Sequence, residues 1–273
     1  MLILFIACTA SVPESLMETT PSPVVSTSKV DVRMQFEPLP WPKEGRVLEM
    51  PVPLEKCLNQ LPSCQCFDAE NRICVAQFVS EISEIPHLMM ERIRETSWQE
   101  GCPIPLEDLR LLRVLHWTEK QEIQWGEMIL THRIVSEAEA VFRQIYQNQF
   151  PIHSMKPALH YAGSDDESME DNNTSAFNCR KVKGSNRWSE HSYGEAIDIN
   201  PVWNPWVKGS RFYPKNAEQY IARDQQVLGM INEGDAIIAI FEQYGWQWGS
   251  QKAGIRDYQH FSRKDHTEVY GDK

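Results

Sequence analysis

Two short stretches of the sequence carry residue types that bind metal ions. The first holds His191 and Asp198, with Gly194 between them, and the second holds Asp257 and His260. A catalytic zinc ion takes three protein ligands from His, Asp, Glu or Cys and leaves one position open. His191, Asp198 and His260 form such a set, in which the third ligand comes from a distant part of the chain. The sequence therefore predicts a site for one zinc ion.

The residues around these side chains indicate how they are positioned. Gly194 adopts backbone conformations that other residues avoid, and so permits the tight path that brings His191 and Asp198 to one ion. The residues AIDIN at 196–200 are typical of a strand, which places Asp198 on a rigid element. Asp257 precedes His260 by three residues. A hydrolytic zinc site needs a carboxylate that accepts a proton from the attacking water, and Asp257 is the predicted general base.

Each residue also has an ordinary structural explanation. A histidine beside Ser189 and Glu190 is usually a surface residue, and Asp198 can simply end a strand. Pairs such as Asp257 and His260 are frequent by chance. The presence of both stretches in one chain is much less common than either stretch alone, and it favours a chemical role.

The combination resembles the signature of a known peptidase family. SEHSYGEAID at 189–198 resembles the S-x-H-x-x-G-x-A-x-D motif of zinc D-alanyl-D-alanine carboxypeptidases and L-alanyl-D-glutamate endopeptidases, which include VanY-type enzymes and phage endolysins. DYQHF at 257–261 resembles their second motif, and the resemblance covers roughly residues 109–262. It implies an α+β fold of the hedgehog/DD-peptidase type, with a small antiparallel sheet and flanking helices around a zinc cleft.

The resemblance also implies individual roles. It implies that His191, Asp198 and His260 are the zinc ligands and that Asp257 is the general base. Many relatives have Glu where this chain has Asp257, and the shorter side chain is also found in the endopeptidase branch. The implied substrates are the stem peptides of bacterial peptidoglycan, and the choice of bond stays open.

The residues that bind the substrate are less clearly marked. In many relatives an arginine in a G-Y-R motif stabilises the oxyanion, and the sequence lacks this motif. Arg180 is the nearest candidate, either for that role or as a bidentate partner of a substrate carboxylate, and a surface arginine is the alternative. It begins a basic run that ends at Arg187 and suits a substrate with free carboxylates. Ser189 is predicted to hydrogen-bond the substrate or orient His191, or else to cap the turn.

Two other functions compete with a zinc peptidase. A non-catalytic zinc-binding module of the same fold explains the ligands but leaves Asp257 without a purpose. A cysteine peptidase with Cys179 as nucleophile and His191 as base leaves Asp198 and His260 unexplained. The residues around Cys179 also provide no helix N-terminus that would lower the pKa of its thiol.

Composition and the N-terminal residues indicate where the protein acts. The chain of 273 residues has a formal net charge of −11, which argues against nucleic-acid binding because phosphates require a basic face. Residues 1–8 resemble the end of a secretory signal with a lipoprotein cleavage box, and an apolar terminus is the alternative. We expect export to the bacterial cell envelope, with Cys8 lipidated and no other contact with the membrane. The remaining cysteines suit disulfides in an oxidising compartment.

The rest of the pattern divides the chain into segments. A Pro-, Ser- and Thr-rich tether is expected at 9–43, a cysteine-containing accessory segment at 44–108 and the zinc peptidase domain at 109–273. A helix is expected in the accessory segment at 73–85.

Within the peptidase domain, the pattern predicts two strands at 109–117 and 122–132 joined by a short turn. It predicts a helix that begins near Ser136 as its cap, and a second helix at 233–245. The polar residues at 163–180 are expected to form a loop that enters a short strand.

Overall fold

The structure of the protein is a computed structural model. The residues it describes are 51–53, 64–68, 73–76, 78–225, 227–251, 254–263 and 265. The predictions of a signal, of lipidation at Cys8 and of a tether at 9–43 lie outside these residues. Within the described part of the chain, no helix has the length and apolar character needed to cross a bilayer.

The accessory segment contains strands where the sequence predicted a helix. Strands β1 (Pro51–Pro53), β2 (Cys64–Asp68) and β3 (Ile73–Ala76) form an antiparallel sheet with β3 in the centre. Strand β4 (Ser80–Ser83) follows. The helix expected at 73–85 is therefore wrong. Alternating β-branched residues at the start of this stretch favour extended backbone over helix.

A second sheet forms the centre of the described structure. Strands β5 (Leu109–Trp117) and β6 (Ile123–Thr131) pair along their whole length, which confirms the predicted hairpin. Strand β4 pairs with the other edge of β5, so the accessory segment supplies one strand of this sheet. Helix α1 (His87–Thr96) lies between β4 and β5 in the chain.

The predicted helix after the hairpin is present, but its start differs. Helix α2 (Val135–Gln147) is preceded by Ile134, and no side chain caps it. Ser136 lies inside the helix, so its predicted role as the cap is wrong. The apolar residues at helical spacing are buried and pack against the sheet, as their spacing predicted.

The polar stretch at 163–180 is not a simple loop. It contains helix α3 (Asp165–Glu170), whose first turn is capped by Ser164, because the Ser164 hydroxyl accepts a hydrogen bond from the Glu167 N–H at 3.3 Å. Two short strands on either side of α3, β7 (Ser154–Met155) and β8 (Asn173–Thr174), pair in parallel.

The C-terminal part of the chain forms two further small antiparallel sheets. One has the order β12-β14-β9 and the other β11-β10-β13. Their strands and the adjoining helix are β9 (Ala196–Asp198), β10 (Trp206–Lys208), β11 (Arg211–Tyr213), α4 (Ala236–Gln243), β12 (Trp246–Trp248), β13 (Arg256–Asp257) and β14 (His260–Arg263).

The sheet of β12, β14 and β9 is backed by a packed apolar core. Phe241 of α4 stacks on Phe261 of β14 with ring centroids 3.9 Å apart, and both side chains are buried. Trp246 and Trp248 of β12 are also buried. The described fold is α+β with small antiparallel sheets, as the sequence predicted, and its tightly packed core gives β9 and β14 a rigid support.

Candidate metal centre

The three predicted metal ligands lie next to one another. Asp198 at the end of β9 is directly opposite His260 at the start of β14 in the antiparallel register. His191 belongs to a short 3-10 helix, Glu190–Tyr193, that leads into β9. One possible ligand atom from each residue lies within 4.8 Å of the other two. The fold therefore brings together residues that are far apart in the chain.

The carboxylate of Asp198 contacts both imidazole rings. Its Oδ2 lies 3.2 Å from Nε2 of His191, and its Oδ1 lies 2.9 Å from Nδ1 of His260. The two rings are 5.2 Å apart between centroids. His191 and Asp198 are buried, and His260 is only slightly exposed. A set of two imidazoles and one carboxylate, close together and shielded from water, suits a zinc ion.

The outer nitrogens of both rings have their own hydrogen-bond acceptors. Nδ1 of His191 lies 2.6 Å from the carbonyl oxygen of Ala176, and Nε2 of His260 lies 2.7 Å from Oε2 of Glu190. A carbonyl or a carboxylate can only accept, so each of these nitrogens carries a proton. Nε2 of His191 and Nδ1 of His260 face the carboxylate of Asp198, and a metal ion held by these two nitrogens would replace the proton that joins Nδ1 of His260 to Asp198. Such outer partners orient metal-binding histidines in proteins.

The electrostatics of the cluster favour positive charge between its carboxylates. Burial acts to raise the pKa of Asp198, but the imidazoles of His191 and His260 outweigh it and hold that pKa well below its usual value. Burial acts to lower the pKa of His260, but the hydrogen bonds that its ring donates to Asp198 and Glu190 raise it well above its usual value. Protons and a divalent cation would compete for this site, so metal binding would release protons.

Gly194 has the conformation that the sequence predicted for the bend. Its φ of 65° lies in the left-handed region, and its carbonyl accepts a hydrogen bond from the Thr131 N–H at 3.1 Å. A Cβ at this position would lie 2.8 Å from the backbone nitrogen of Thr131. The bend therefore needs glycine both for its conformation and for its close approach to β6.

The strand that carries Asp198 is held at its start by an ion pair whose carboxylate is buried. The side chain of Glu195 is fully buried, and its two oxygens lie 2.6 and 2.7 Å from Nε and Nη2 of Arg133. The hydrogen bond to Glu195 is the main reason that the pKa of Arg133 is raised. Sequence analysis did not identify this pair, which joins the metal motif to the end of the β5–β6 hairpin.

Asp257 lies beside His260, on strand β13. A Cβ placed on Gly249 would be 2.8 Å from the Cβ of Asp257 and 3.1 Å from the Cβ of His260, so both side chains start from the same small region. Asp257 is half-buried. Its role as general base stays a prediction, and this location is compatible with it.

The charge of Arg180 is paired within the protein. Its Nη2 lies 2.8 Å from Oδ2 of Asp165 at the start of α3. Lys183 of the same basic run lies 3.4 Å from Asp166. The Arg180 backbone is fixed near the metal cluster, because its N–H donates to the hydroxyl of Ser192 and its carbonyl accepts from that hydroxyl. The predicted roles of Arg180 in oxyanion or carboxylate binding stay predictions.

Ser189 occupies the capping position of the 3-10 helix. Its hydroxyl accepts a hydrogen bond from the backbone N–H of His191 at 3.4 Å, and its own backbone N–H donates to the carbonyl of Arg180. The side chain is buried. The geometry matches the capping role, and contact with a substrate stays a prediction.

Cys179 forms a disulfide bond with Cys102, and the two Cα atoms are 6.0 Å apart. A sulfur in a disulfide has no thiolate to attack a peptide bond. The alternative of a cysteine peptidase with Cys179 as nucleophile and His191 as base is therefore contradicted by this pairing.

Glu190 is the residue of the cluster that sequence analysis missed. It immediately precedes His191, and in the 3-10 helix its side chain reaches the other histidine of the site. A carboxylate next to a predicted ligand is a signal that could have been used, since metal-binding histidines commonly donate to carboxylates.

Comparison with known proteins supports a peptidase relationship for one part of the chain. Residues 183–263 match the model of a family described as D-alanyl-D-alanine carboxypeptidase. This region contains His191, Asp198, Asp257 and His260, covers less than a third of the chain, and begins just after Arg180. No curated protein and no solved structure matches the chain.

Proposed function

We propose that this protein is a zinc-dependent peptidase that hydrolyses peptide bonds in the stem peptides of bacterial peptidoglycan. The observation that carries the proposal is the convergence of His191, Asp198 and His260, with Asp257 beside them, inside the region that matches a peptidase family. Two histidines and one aspartate leave a zinc coordination position open, which is typical of catalytic rather than structural sites.

Each residue has a task in this proposal. A bound zinc ion would polarise the scissile carbonyl and make a water molecule more acidic. Asp257 would accept a proton from the attacking water and pass it to the leaving amine. Glu190 and the carbonyl of Ala176 would keep the two imidazoles in the orientation that binds metal. Arg180 would stabilise negative charge on the substrate if its pairing with Asp165 is exchanged.

The substrate and the location follow from the same proposal. Stem peptides are the substrates of the family that the motifs resemble, and hydrolysis is proposed either at the terminal D-alanine or between L-alanine and D-glutamate. We propose that the protein acts in the bacterial cell envelope, after export and with lipidation at Cys8. The disulfide between Cys102 and Cys179 supports an oxidising compartment.

One observation favours a second candidate, a non-catalytic zinc-binding module. Arg180 is paired with Asp165, so the nearest candidate for oxyanion stabilisation is already engaged. A requirement for Asp257 distinguishes the two functions, because an enzyme needs a general base and a purely structural site does not.

The test uses purified muropeptides and mass spectrometry. The wild-type protein should shorten the peptides, and the masses of the products identify the bond. Asp257→Ala should keep zinc and lose hydrolysis, whereas Asp224→Ala, which removes an exposed carboxylate elsewhere, should keep both. Zinc binding without any product from the wild-type protein would support the module and reject the enzyme.

A further inference from the structure

A small cleft lies between helix α3 and the end of strand β11, and we refer to it as the α3–β11 cleft. It encloses about 210 Å³, and the side chains that line it include Asp166, Met169, Glu170, Lys183, Tyr213 and Lys215. The cleft is partly open to solvent and is much larger than the space that one water molecule needs, so it has room for a group of several heavy atoms. This matches the free end of one amino acid.

The cleft presents charges of both signs. Helix α3 provides the carboxylates of Asp166 and Glu170, and Lys183 and Lys215 provide ammonium groups. Both ammonium groups lie over the ring of Tyr213, at 4.9 Å and 4.6 Å from its centroid. The ring of Tyr213 therefore attracts both ammonium groups to this part of the cleft.

The ion pair between Lys183 and Asp166 is open to exchange with a ligand. Lys183 and Asp166 are 3.4 Å apart, and their side chains are 72% and 62% exposed. Exposed ion pairs contribute little to stability, so a ligand could replace this contact at small cost. The two sides of the cleft are also joined by a contact that does not involve this ion pair. The side-chain amide of Asn216 donates to the backbone carbonyl of Glu170 at 2.8 Å.

The sheet connects this cleft to the metal centre. Tyr213 of β11 is directly opposite Trp206 of β10, and Trp206 is directly opposite Asp257 of β13. Residues directly opposite in antiparallel strands share a face, so Tyr213 and Asp257 lie on the same face of the sheet. Two strand spacings separate them, about 10 Å. An extended peptide covers that distance in about three residues.

A side-chain contact gives a second connection. The sulfur of Met169, which lines the cleft, lies 3.6 Å from the side-chain amide of Gln259, and Gln259 directly precedes His260. The cleft and the metal centre are therefore neighbours through two separate routes.

We propose that the α3–β11 cleft binds a zwitterionic amino-acid group of the substrate, with an ammonium and a carboxylate on one carbon, about three residues or fewer from the scissile bond. The ammonium contacts Asp166 and Glu170, and the carboxylate contacts Lys183 and Lys215. This inference rests on the proposed function. In a stem peptide, a diaminopimelate residue carries such a group at the end of its side chain, whereas a lysine residue carries only the ammonium.

The experiment compares two synthetic stem peptides that differ only in diaminopimelate or lysine at the third position. The wild-type, zinc-loaded protein should cleave the diaminopimelate peptide with a kcat/KM at least about tenfold higher, because charge-assisted hydrogen bonds to the extra carboxylate stabilise that complex. Lys183→Ala and Lys215→Ala should remove most of this preference, because they remove the ammonium groups that contact the extra carboxylate. Lys208 is an exposed lysine on β10 outside the cleft lining, so Lys208→Ala is the matched control and should keep the preference for the diaminopimelate peptide.

The outcomes separate this inference from the proposed function. Cleavage of both peptides with equal kcat/KM, or a preference that survives both lysine variants, overturns the inference and leaves the peptidase intact. If neither peptide is cleaved, the proposed function fails. A binding measurement then tests whether the cleft takes the zwitterionic group. The same two stem peptides, titrated against the wild-type protein with nuclear magnetic resonance detection, should then still differ in affinity: the diaminopimelate peptide should bind more tightly, and Lys183→Ala should lose this difference. Equal binding of the two overturns the inference.

Discussion

His260 lies between two carboxylates, with Nδ1 at 2.9 Å from Oδ1 of Asp198 and Nε2 at 2.7 Å from Oε2 of Glu190. The first carboxylate is a predicted metal ligand and the second is outside the predicted ligand set. A carboxylate that accepts a hydrogen bond from the outer nitrogen of a metal-binding histidine fixes the orientation of the ring. It also makes the inner nitrogen more basic, and therefore a stronger ligand for the metal. The contact between Glu190 and His260 therefore connects the 3-10 helix to the predicted metal site.

Glu190→Ala should weaken zinc binding by about 10- to 100-fold, which is typical for loss of such an outer partner. Glu190→Gln retains an oxygen that can accept the hydrogen bond, and it should lose less affinity. The measurement is competition for zinc against a chelator of known affinity. Glu233→Ala, an exposed glutamate outside the cluster, should bind zinc like the wild-type protein. Unchanged affinity in Glu190→Ala would show that the contact does not support the metal.

The disulfide between Cys102 and Cys179 should contribute strongly to stability. The bond joins residues 77 positions apart, and closing a loop of that length removes conformational entropy from the unfolded chain. The expected loss in the free energy of unfolding is about 4 kcal/mol when the bond is removed. Denaturant unfolding of Cys102→Ser and Cys179→Ser measures it.

The same two variants also test the alternative in which Cys179 is the catalytic nucleophile. Both remove the same bond, so both should lose the same stability and keep the same hydrolytic activity at temperatures where they are folded. A loss of activity in Cys179→Ser alone would mean that this sulfur takes part in catalysis. It would contradict the metal-based account.

The buried imidazole of His116 should make the protein less stable in mild acid. Burial lowers the pKa of His116 from 6.5 to about 4. Between these values the unfolded chain binds a proton that the folded protein does not. The resulting stability is fully present above pH 6.5 and decreases as the pH falls toward 4, by at most about 3 kcal/mol.

Unfolding measurements at pH 7 and pH 5 test the contribution of His116. His116→Gln should show a smaller decrease in the free energy of unfolding between these pH values than the wild-type protein. His132→Gln removes a histidine whose side chain is 56% exposed, and it should decrease like the wild-type protein. An equal decrease in all three proteins would assign the acid sensitivity to other groups.

Local patterns in the sequence predicted some parts of the structure well. The β5–β6 hairpin was predictable because two apolar runs flank a short polar turn, and the buried face of α2 because its apolar residues recur at helical spacing. Gly194 was predictable because a tight bend between two ligands needs a residue that adopts positive φ.

Other parts were missed although a local signal was present. Ser164 and Glu167 have the spacing of a helix capping box, and this spacing marks the start of α3 inside the polar stretch. The helix was missed because α3 has few apolar residues and therefore no apolar periodicity that marks a helix. The stretch at 73–85 is short and apolar, and such runs do not distinguish a helix from a strand by periodicity alone.

The contacts that complete the metal centre could not be predicted from local patterns. Glu190 and His260 are 70 positions apart, and Arg133 and Glu195 are 62 apart. Their pairing depends on how β9, β14 and the hairpin pack together, which spacing along the chain does not encode. The ligand set itself was predictable from the residue types of two motifs, together with the resemblance of these motifs to those of a known family.

Hydrolysis of purified muropeptides with and without a metal chelator tests the central claim most directly. The zinc-loaded protein should shorten the peptides, a chelator should abolish the new masses, and added zinc should restore them. His191→Ala should bind no zinc and give no products under any of these conditions. Hydrolysis that continues after the chelator has removed the metal, or that persists in His191→Ala, would contradict a zinc peptidase built on His191, Asp198 and His260.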